Sequence, residues 1–187
     1  MPITKARLFW PLLGAVVAAD WMTKRWAELA LAPVGMIHPV IGDLLRFRLA
    51  YNRGAATGIS LGEWSRPLFS IFAVVAVIVI ARIYRQAPPG DWKLGAACAL
   101  LIGGAIGNLL DRLRSPLGVV DFIDVGWGTL RFWVFNIADI GVSTGAIVMA
   151  LLLWKRDGLE PHAPEPATSR SQPPDVSLET PAPSDEQ

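Results

Sequence analysis

The sequence predicts a membrane protein of mainly α class: four transmembrane helices with a small extracytoplasmic β-sheet element. Three observations carry this. Of 187 residues, 52% are hydrophobic, and mean hydropathy is +0.41. Charged residues are 18%, below the ~25% of an ordinary soluble domain. Four long apolar stretches recur, about Leu8–Leu31, Pro67–Tyr84, Leu94–Leu110 and Phe135–Trp154. Each approaches the ~20 residues needed to cross ~30 Å of hydrocarbon.

Charge divides the chain in two. Residues 1–156 hold 16 Lys+Arg against 9 Asp+Glu, a balance of +7. Residues 157–187 hold one Arg against 7 acids, a balance of −6, together with 7 of the 15 prolines. Such a segment cannot bury a core. The expected division is a membrane domain at 1–156 and a disordered, Pro-rich, acidic cytoplasmic tail at 157–187.

The first stretch, with Lys5 and Arg7 ahead of an apolar run ending Val17-Ala18-Ala19, has the outline of a signal peptide. Helical character continues through Asp20-Trp21-Met22-Thr23-Lys24-Arg25-Trp26, which favours a retained span. Between the first and second stretches, Leu45-Arg46-Phe47-Arg48-Leu49-Ala50-Tyr51 alternates apolar and polar residues. That period marks a half-buried strand with Leu45, Phe47, Leu49 and Tyr51 on one face. Pro33, Gly35, Pro39 and Gly42 punctuate the approach to it. A small sheet on the outer membrane surface is expected here.

Four spans put both termini on one side. Arg82, Arg85 and Lys93 crowd the short connection between spans 2 and 3, and Lys5, Arg7, Lys155 and Arg156 flank the termini. By basic density these are expected to be cytoplasmic. Trp10, Trp92 and Trp154 would then mark the inner interface, and Trp64 and Trp133 the outer one.

The only cysteine, Cys98, excludes an intrachain disulfide and Cys-rich zinc sites. Two histidines, His38 and His162, give little basis for a metal centre or a Ser-His-Asp triad. No metal, no cofactor and no nucleic-acid partner is expected.

Polar residues within or beside the apolar stretches cluster toward one leaflet. Asp20 and Lys24 are spaced i,i+4 and suit an ion pair. Asn52-Arg53-Gly54-Ala55-Ala56 follows the strand. Gly107-Asn108-Leu109-Leu110-Asp111-Arg112 closes span 3. Val119-Val120-Asp121-Phe122-Ile123-Asp124 lies in the second outer loop. Phe135-Asn136-Ile137-Ala138-Asp139 opens span 4, where Asn136 and Asp139 also suit an N-cap and N3 acid. Acids in apolar surroundings are costly and commonly functional. The apolar neighbours of Asp121 should raise its proton affinity, and two carboxylates at close range cannot both ionise. The ionised member can then deprotonate water while the protonated member hydrogen-bonds a carbonyl oxygen.

Together these blocks resemble bacterial lipoprotein signal peptidase, signal peptidase II. The set is Asp20-x-x-Thr23-Lys24, Asn52-x-Gly54-Ala55-Ala56, Gly107-Asn108-x-x-Asp111-Arg112, Val119-Val120-Asp121-Phe122 and Phe135-Asn136-x-Ala138-Asp139. Their order and spacing match over roughly Leu8 to Trp154. The resemblance implies a membrane aspartyl endopeptidase that removes signal peptides from prolipoproteins, cutting before a diacylglyceryl-modified cysteine. It implies a catalytic pair at Asp121 and Asp139. Asp20, Lys24, Asn52, Gly54, Asn108, Arg112 and Asn136 are implied as substrate-binding or supporting residues. The implied partners are diacylated prolipoprotein signal peptides, membrane lipid and a globomycin-type cyclic peptide inhibitor. The implied location is the bacterial cytoplasmic (inner) membrane, with the site toward the outer leaflet. Trp21 stands where the family often carries Gln, and Thr57 where an aromatic is common.

The rival reading is a small proton- or ion-coupled carrier using Asp20, Asp111 and Asp139 as a relay. A carrier calls for acids at the bilayer midplane and often for repeated halves. Here the acids gather toward one face and no repeat is evident. A non-enzymatic scaffold leaves the buried acids unexplained.

Overall fold

The computed structural model describes residues 4–54 and 62–157. In chain order it contains helix α1 (Lys5–Ala30), strands β1 (Ile37–Ile41) and β2 (Leu45–Asn52), a single 3-10 turn at Gly62–Trp64, helices α2 (Ser65–Gln86) and α3 (Trp92–Arg114), strands β3 (Val119–Trp127) and β4 (Leu130–Arg131), and helix α4 (Ile137–Asp157). All four expected stretches are helices; α2 and α3 run beyond the expected bounds at both ends, α1 starts three residues earlier and stops at Ala30, and α4 starts at Ile137 and runs on to Asp157. Ala55, Ala56, Thr57 and the expected tail from residue 158 onward lie outside the described residues.

Helix α3 is the centre, packed against α1, α2 and α4. Its composition allows this. At Gly104 a Cβ would collide with the Ala138 carbonyl and lie 2.7 Å from Val142 Cγ2. At Gly107 it would lie 2.5 Å from Asp20 Oδ2. The absence of a side chain at these two positions is what lets α4 and the end of α1 close on α3. Asp91 caps the start of α3, accepting from Leu94 N at 3.2 Å.

The segments Gly62–Gln86, Trp92–Arg114 and Ile137–Lys155 are long and apolar enough to cross a membrane. The most apolar stretch of the first has none of its residues buried inside the protein. Exposed Leu68, Ile71, Phe72, Val75, Ile78 and Val79 cover the face of α2 turned away from α3, so that face meets hydrocarbon rather than protein. Helix α1, at 26 residues, has the length to span about 39 Å, but it carries Asp20, Lys24 and Arg25.

One end of the bundle is tied by Lys5. Its backbone N–H donates to Pro89 O at 2.8 Å, and its Nζ donates to Tyr84 O at 2.7 Å and to Ala87 O. The start of α1 and the α2–α3 connection therefore share an end. The sheet covers the other end, in the order β1-β2-β3-β4 with every pair antiparallel. Ala27 of α1 and Leu31 just after it pack beneath the sheet against Leu49, Val120 and Phe122, with Phe47 and Tyr51 beside them. Trp26 lies edge-on to Phe47 at 5.3 Å and to Phe122 at 6.0 Å.

The alternating segment is strand β2 as expected. The segment expected to be a loop, Val119–Asp124, is instead the central strand β3, pairing Ala50 with Asp121 and Asn52 with Val119. Residues 119–122 and 124 are all buried, so side chains on both faces had to be apolar or internally paired and no alternation appeared.

Candidate active site

The site lies where the ends of α1 and α3, the strand β3 and the start of α4 meet. Asn136 N-caps α4: its Oδ1 accepts from Asp139 N at 2.9 Å, and Asp139 Oδ2 accepts from Asn136 N at 3.3 Å. This is a reciprocal capping box, so the local reading of that pair holds. It does not exhaust their contacts. Asn136 Nδ2 also donates to Asp121 Oδ1 at 2.7 Å, to Asn108 Oδ1 at 3.1 Å and to Val120 O at 3.2 Å. Asn108 Nδ2 donates to Asp139 Oδ1 at 2.8 Å. The two aspartates are thereby joined through Asn136 and Asn108.

Asp121 is 3% exposed. Burial, and next the negative charge of Asp139, push its carboxyl up to about 7, while hydrogen bonds from Asn52 and Asn136 work the other way. Burial is the cause the apolar neighbours suggested; the second is the like charge of a nearby carboxylate. Asn52 pairs with Val119 in the sheet and accepts from Gly54 N at 3.0 Å, a short turn that leaves β2 and places Gly54.

Lys24 anchors the underside of the site. Its Nζ is 2.7 Å from Asp20 Oδ2, 3.0 Å from Asp111 Oδ2 and 3.0 Å from Asn108 Oδ1. Asp20, Lys24 and Asp111 are each 1% exposed. Asp20 Oδ1 accepts from Ala138 N at 2.8 Å, so α1 caps α4 across 118 residues of sequence. Asp111 Oδ2 accepts from Val120 N at 3.1 Å and fixes β3 to α3.

Arg112 Nη1 donates to Asn108 O at 3.2 Å, and its guanidinium lies 5.9 Å from the Phe69 ring centre. Its charge is within reach of Asp139 and Asp121. Its own carbonyl accepts from Arg66 Nε at 2.5 Å, tying the start of α2 to the end of α3.

Eight of the nine site residues expected from sequence thus converge, and Gly54 follows from Asn52. Asp111 enters the sequence analysis only as part of a motif and of the rival relay, and Arg66 has no site role there. Asp111 carried a signal, an acid ending an apolar run. Arg66 carried none, because its partner is a backbone carbonyl.

Asp124 stands apart from the pair. It is 1% exposed and receives Arg131 Nε at 2.7 Å and Arg46 Nη2 at 2.9 Å. Burial alone would raise its carboxyl, but the hydrogen bonds from Arg131 and Arg46 prevail and hold it below the usual range. Trp21 also lies outside the network, its ring 4.9 Å from the Arg25 guanidinium and 5.6 Å from that of Arg114. Among the described residues no three His, Cys, Asp or Glu side chains form a metal-binding group.

A groove of about 300 Å³ opens at Asp139. It follows Ser143, Thr144 and Ile147 along α4, with Phe132, Trp133 and Phe135 at its head. Its size and mostly apolar lining with a few polar groups suit a bound segment.

Two solved bacterial membrane enzymes share this architecture. One, determined by the in meso method at 2.3 Å, superposes with a TM-score of 0.72 at 29% identity, covering 81% of this chain and 90% of that one. Another, at 1.9 Å, gives 0.65 at 30% identity over 77% and 90%. The fold and its polar centre therefore define a helical membrane-embedded enzyme of bacteria. The sequence narrows this. The family model for signal peptidase (SPase) II matches residues 12–155. The lipoprotein signal peptidase of Rhodococcus jostii is 40% identical over 171 residues, covering 86% of this chain and 79% of that protein. That of Pseudomonas syringae pv. tomato is 40% identical over 154 residues, covering 80% and 87%. The chain belongs to the signal peptidase II family, a family of bacterial inner-membrane peptidases.

Proposed function

We propose that this chain is an aspartyl endopeptidase that removes signal peptides from prolipoproteins, cutting before the diacylglyceryl-modified cysteine. One observation carries the reading: two carboxylates are both bonded by Asn136, Asp121 by its side-chain amide and Asp139 by its backbone N–H, and Asp139 lines an apolar groove. The relatives' shared name, lipoprotein signal peptidase, supports the substrate.

Hydrolysis needs one proton shared by the pair. The ionised aspartate takes a proton from water as the water oxygen attacks the scissile carbonyl carbon. The protonated aspartate gives its proton to the carbonyl oxygen. As the resulting diol collapses, one hydroxyl returns a proton to the second aspartate. The first passes its proton to the leaving amine, the C–N bond breaks and the pair is restored. General acid–base help of this kind supplies about 10²–10⁴-fold in rate. Arg112 and Asn52 border the pair and would hold substrate carbonyls. The groove along α4 admits the apolar substrate from the bilayer, and a globomycin-type peptide would compete for it.

In the membrane, α1 is the fourth span. Its Asp20 and Lys24 pair with each other and with Asp111 inside the bundle, so these charges face one another rather than lipid. Both termini are cytoplasmic, and the sheet and the aspartates face the outer leaflet.

The test is cleavage of a diacylated prolipoprotein precursor by the purified full chain in detergent. Wild type is expected to release the signal peptide, and Asp121→Asn and Asp139→Asn to fold but not turn over. Near-wild-type turnover by either variant removes the aspartyl mechanism.

A further inference from the structure

Trp21 lies outside the polar centre, at the end of a second groove. This groove, of about 430 Å³, runs between α1 and α3, lined by Gly14, Val17, Ala18 and Trp21 of α1 and by Ile106 and Leu110 of α3. Gly14 helps to open it: a Cβ added there would meet nothing within 4 Å. Helical spacing sets what lies beyond its end. Val17, Trp21 and Arg25 follow one another at four-residue steps along α1, and Ile106, Leu110 and Arg114 do the same along α3. Both guanidiniums therefore stand just past the groove, 4.9 Å (Arg25) and 5.6 Å (Arg114) from the centre of the Trp21 ring.

Their depth is that of lipid phosphate. Lys5 and Lys93 share the opposite end of the bundle, where Lys5 packs on Gly95. Arg25 lies about 20 residues of helix beyond Lys5, and Arg114 about as far beyond Lys93, or about 30 Å in each case. Hydrocarbon is about 30 Å thick, so cations at both ends of these helices reach the two headgroup layers. Glu28 takes one nitrogen of each guanidinium, Arg25 Nη1 and Arg114 Nη2. Asp111 Oδ1 lies 3.7 Å from Arg25 and 3.9 Å from Arg114, beyond hydrogen-bonding distance. The side chains stay 25% and 35% exposed, so each guanidinium fork keeps an open edge.

We propose that this groove binds a glycerophospholipid from the leaflet at the sheet end of the bundle. One acyl chain lies along Gly14 and Ala18, and the phosphate sits on Arg25 and Arg114 above Trp21. Phosphate is the anion a bilayer supplies at that depth, and a guanidinium fork matches its oxygens. The apolar groove continuous with the cations selects a lipid over a soluble anion. The site needs the helices in the bilayer but no part of the aspartyl chemistry.

The test uses the purified, delipidated full chain in detergent, titrated with dioleoyl phosphatidylglycerol and followed by thermal midpoint, with bound phosphorus counted per chain. Wild type is expected to gain stability saturably and to retain one phospholipid. Dioleoylglycerol, which lacks the phosphate, and glycerol 3-phosphate, which lacks the chains, should each bind about tenfold more weakly or worse. Arg25→Gln, Arg114→Gln and Gly14→Leu, the last filling the groove without a clash, should each weaken phosphatidylglycerol by about tenfold or more. Arg48→Gln, on strand β2 away from the groove, should not. Equal binding of dioleoylglycerol overturns the proposal in favour of a merely apolar groove, and equal binding of glycerol 3-phosphate in favour of a free-phosphate site. Unsaturable uptake that no variant changes means ordinary boundary lipid and also overturns it, as does an equal loss in Arg48→Gln. If Arg25→Gln does not fold, Arg114→Gln and Gly14→Leu decide. Asp121→Asn, expected to lack turnover, should bind the lipid as wild type does. Turnover by that variant removes the aspartyl mechanism and leaves this site standing; normal cleavage by wild type without selective lipid binding removes this site alone.

Discussion

Asn136 Nδ2 donates to Asp121 Oδ1 across 2.7 Å, although the two residues sit on different elements 15 positions apart. The same residue caps α4 through Asp139. A helix cap and a strand carboxylate are thus one construction, and moving either aspartate relative to the other would break the start of α4.

Asp121→Asn is expected to abolish turnover and to raise stability. The Asp121 carboxyl is pushed up to about 7 by burial and by Asp139, so the folded protein binds its proton more tightly than the unfolded chain does. The stability this contributes is complete below the unfolded value of about 4 and is lost as pH rises through about 7. At pH 8 the neutral Asn removes a buried charge, with a gain on the order of 1–3 kcal/mol. Thermal unfolding of both forms in one detergent checks this; an unchanged midpoint at pH 8 contradicts it.

The double variant Asp121→Asn/Asp139→Asn should be hardly slower than either single one. Residues that act as a unit lose their effect once. Residual rates measured with long incubations decide the matter, and multiplicative losses would argue for two independent contributions.

Activity should decline as pH rises through about 7, because Asp121 must hold a proton to serve as the acid. A kcat profile between pH 5 and 9 reads the basic limb directly. A flat profile across that range would assign the acid to another group.

Asp124→Asn should cost stability rather than chemistry. It removes the charge from a buried carboxylate shared by Arg46 and Arg131, leaving both cations underpaired, at about 3 kcal/mol. Since its carboxyl lies below the usual range in the folded state, its contribution is present above about pH 4 and is lost as pH falls further. Activity per folded molecule should stay near wild type; a dead but fully folded variant would bring Asp124 into the reaction.

Orientation and tail are testable together. With Cys98 replaced, single cysteines in the 82–93 connection should resist a membrane-impermeant reagent applied outside, while one near Asn52 should react. A chain ending at residue 156 should insert and cleave as well as the full one, because residues 157–187 are acidic and Pro-rich and have little apolar surface to pack. Outside labelling of the 82–93 connection inverts the topology, and an inactive but abundant truncation gives the tail a role.

The sequence by itself determined the long apolar helices, the alternating strand β2 and the order of the polar blocks. These are local signals: periodicity and composition report which neighbours a segment buries against, whatever those neighbours are. It did not reveal β3, because a strand buried on both faces shows no alternation. It set Asp121 apart from Asp124 by its apolar neighbours and by the family motif, but gave neither acid its partners. Tertiary structure supplied them, turning one toward Asn136 and the other toward Arg46 and Arg131. It likewise suggested the Asp20–Lys24 pair from i,i+4 spacing but not its third and fourth members, Asp111 and Asn108, on α3. Those contacts exist because Gly104 and Gly107 let three helices approach closely enough for side chains over 80 residues apart to meet, and distance along a chain carries no information about that.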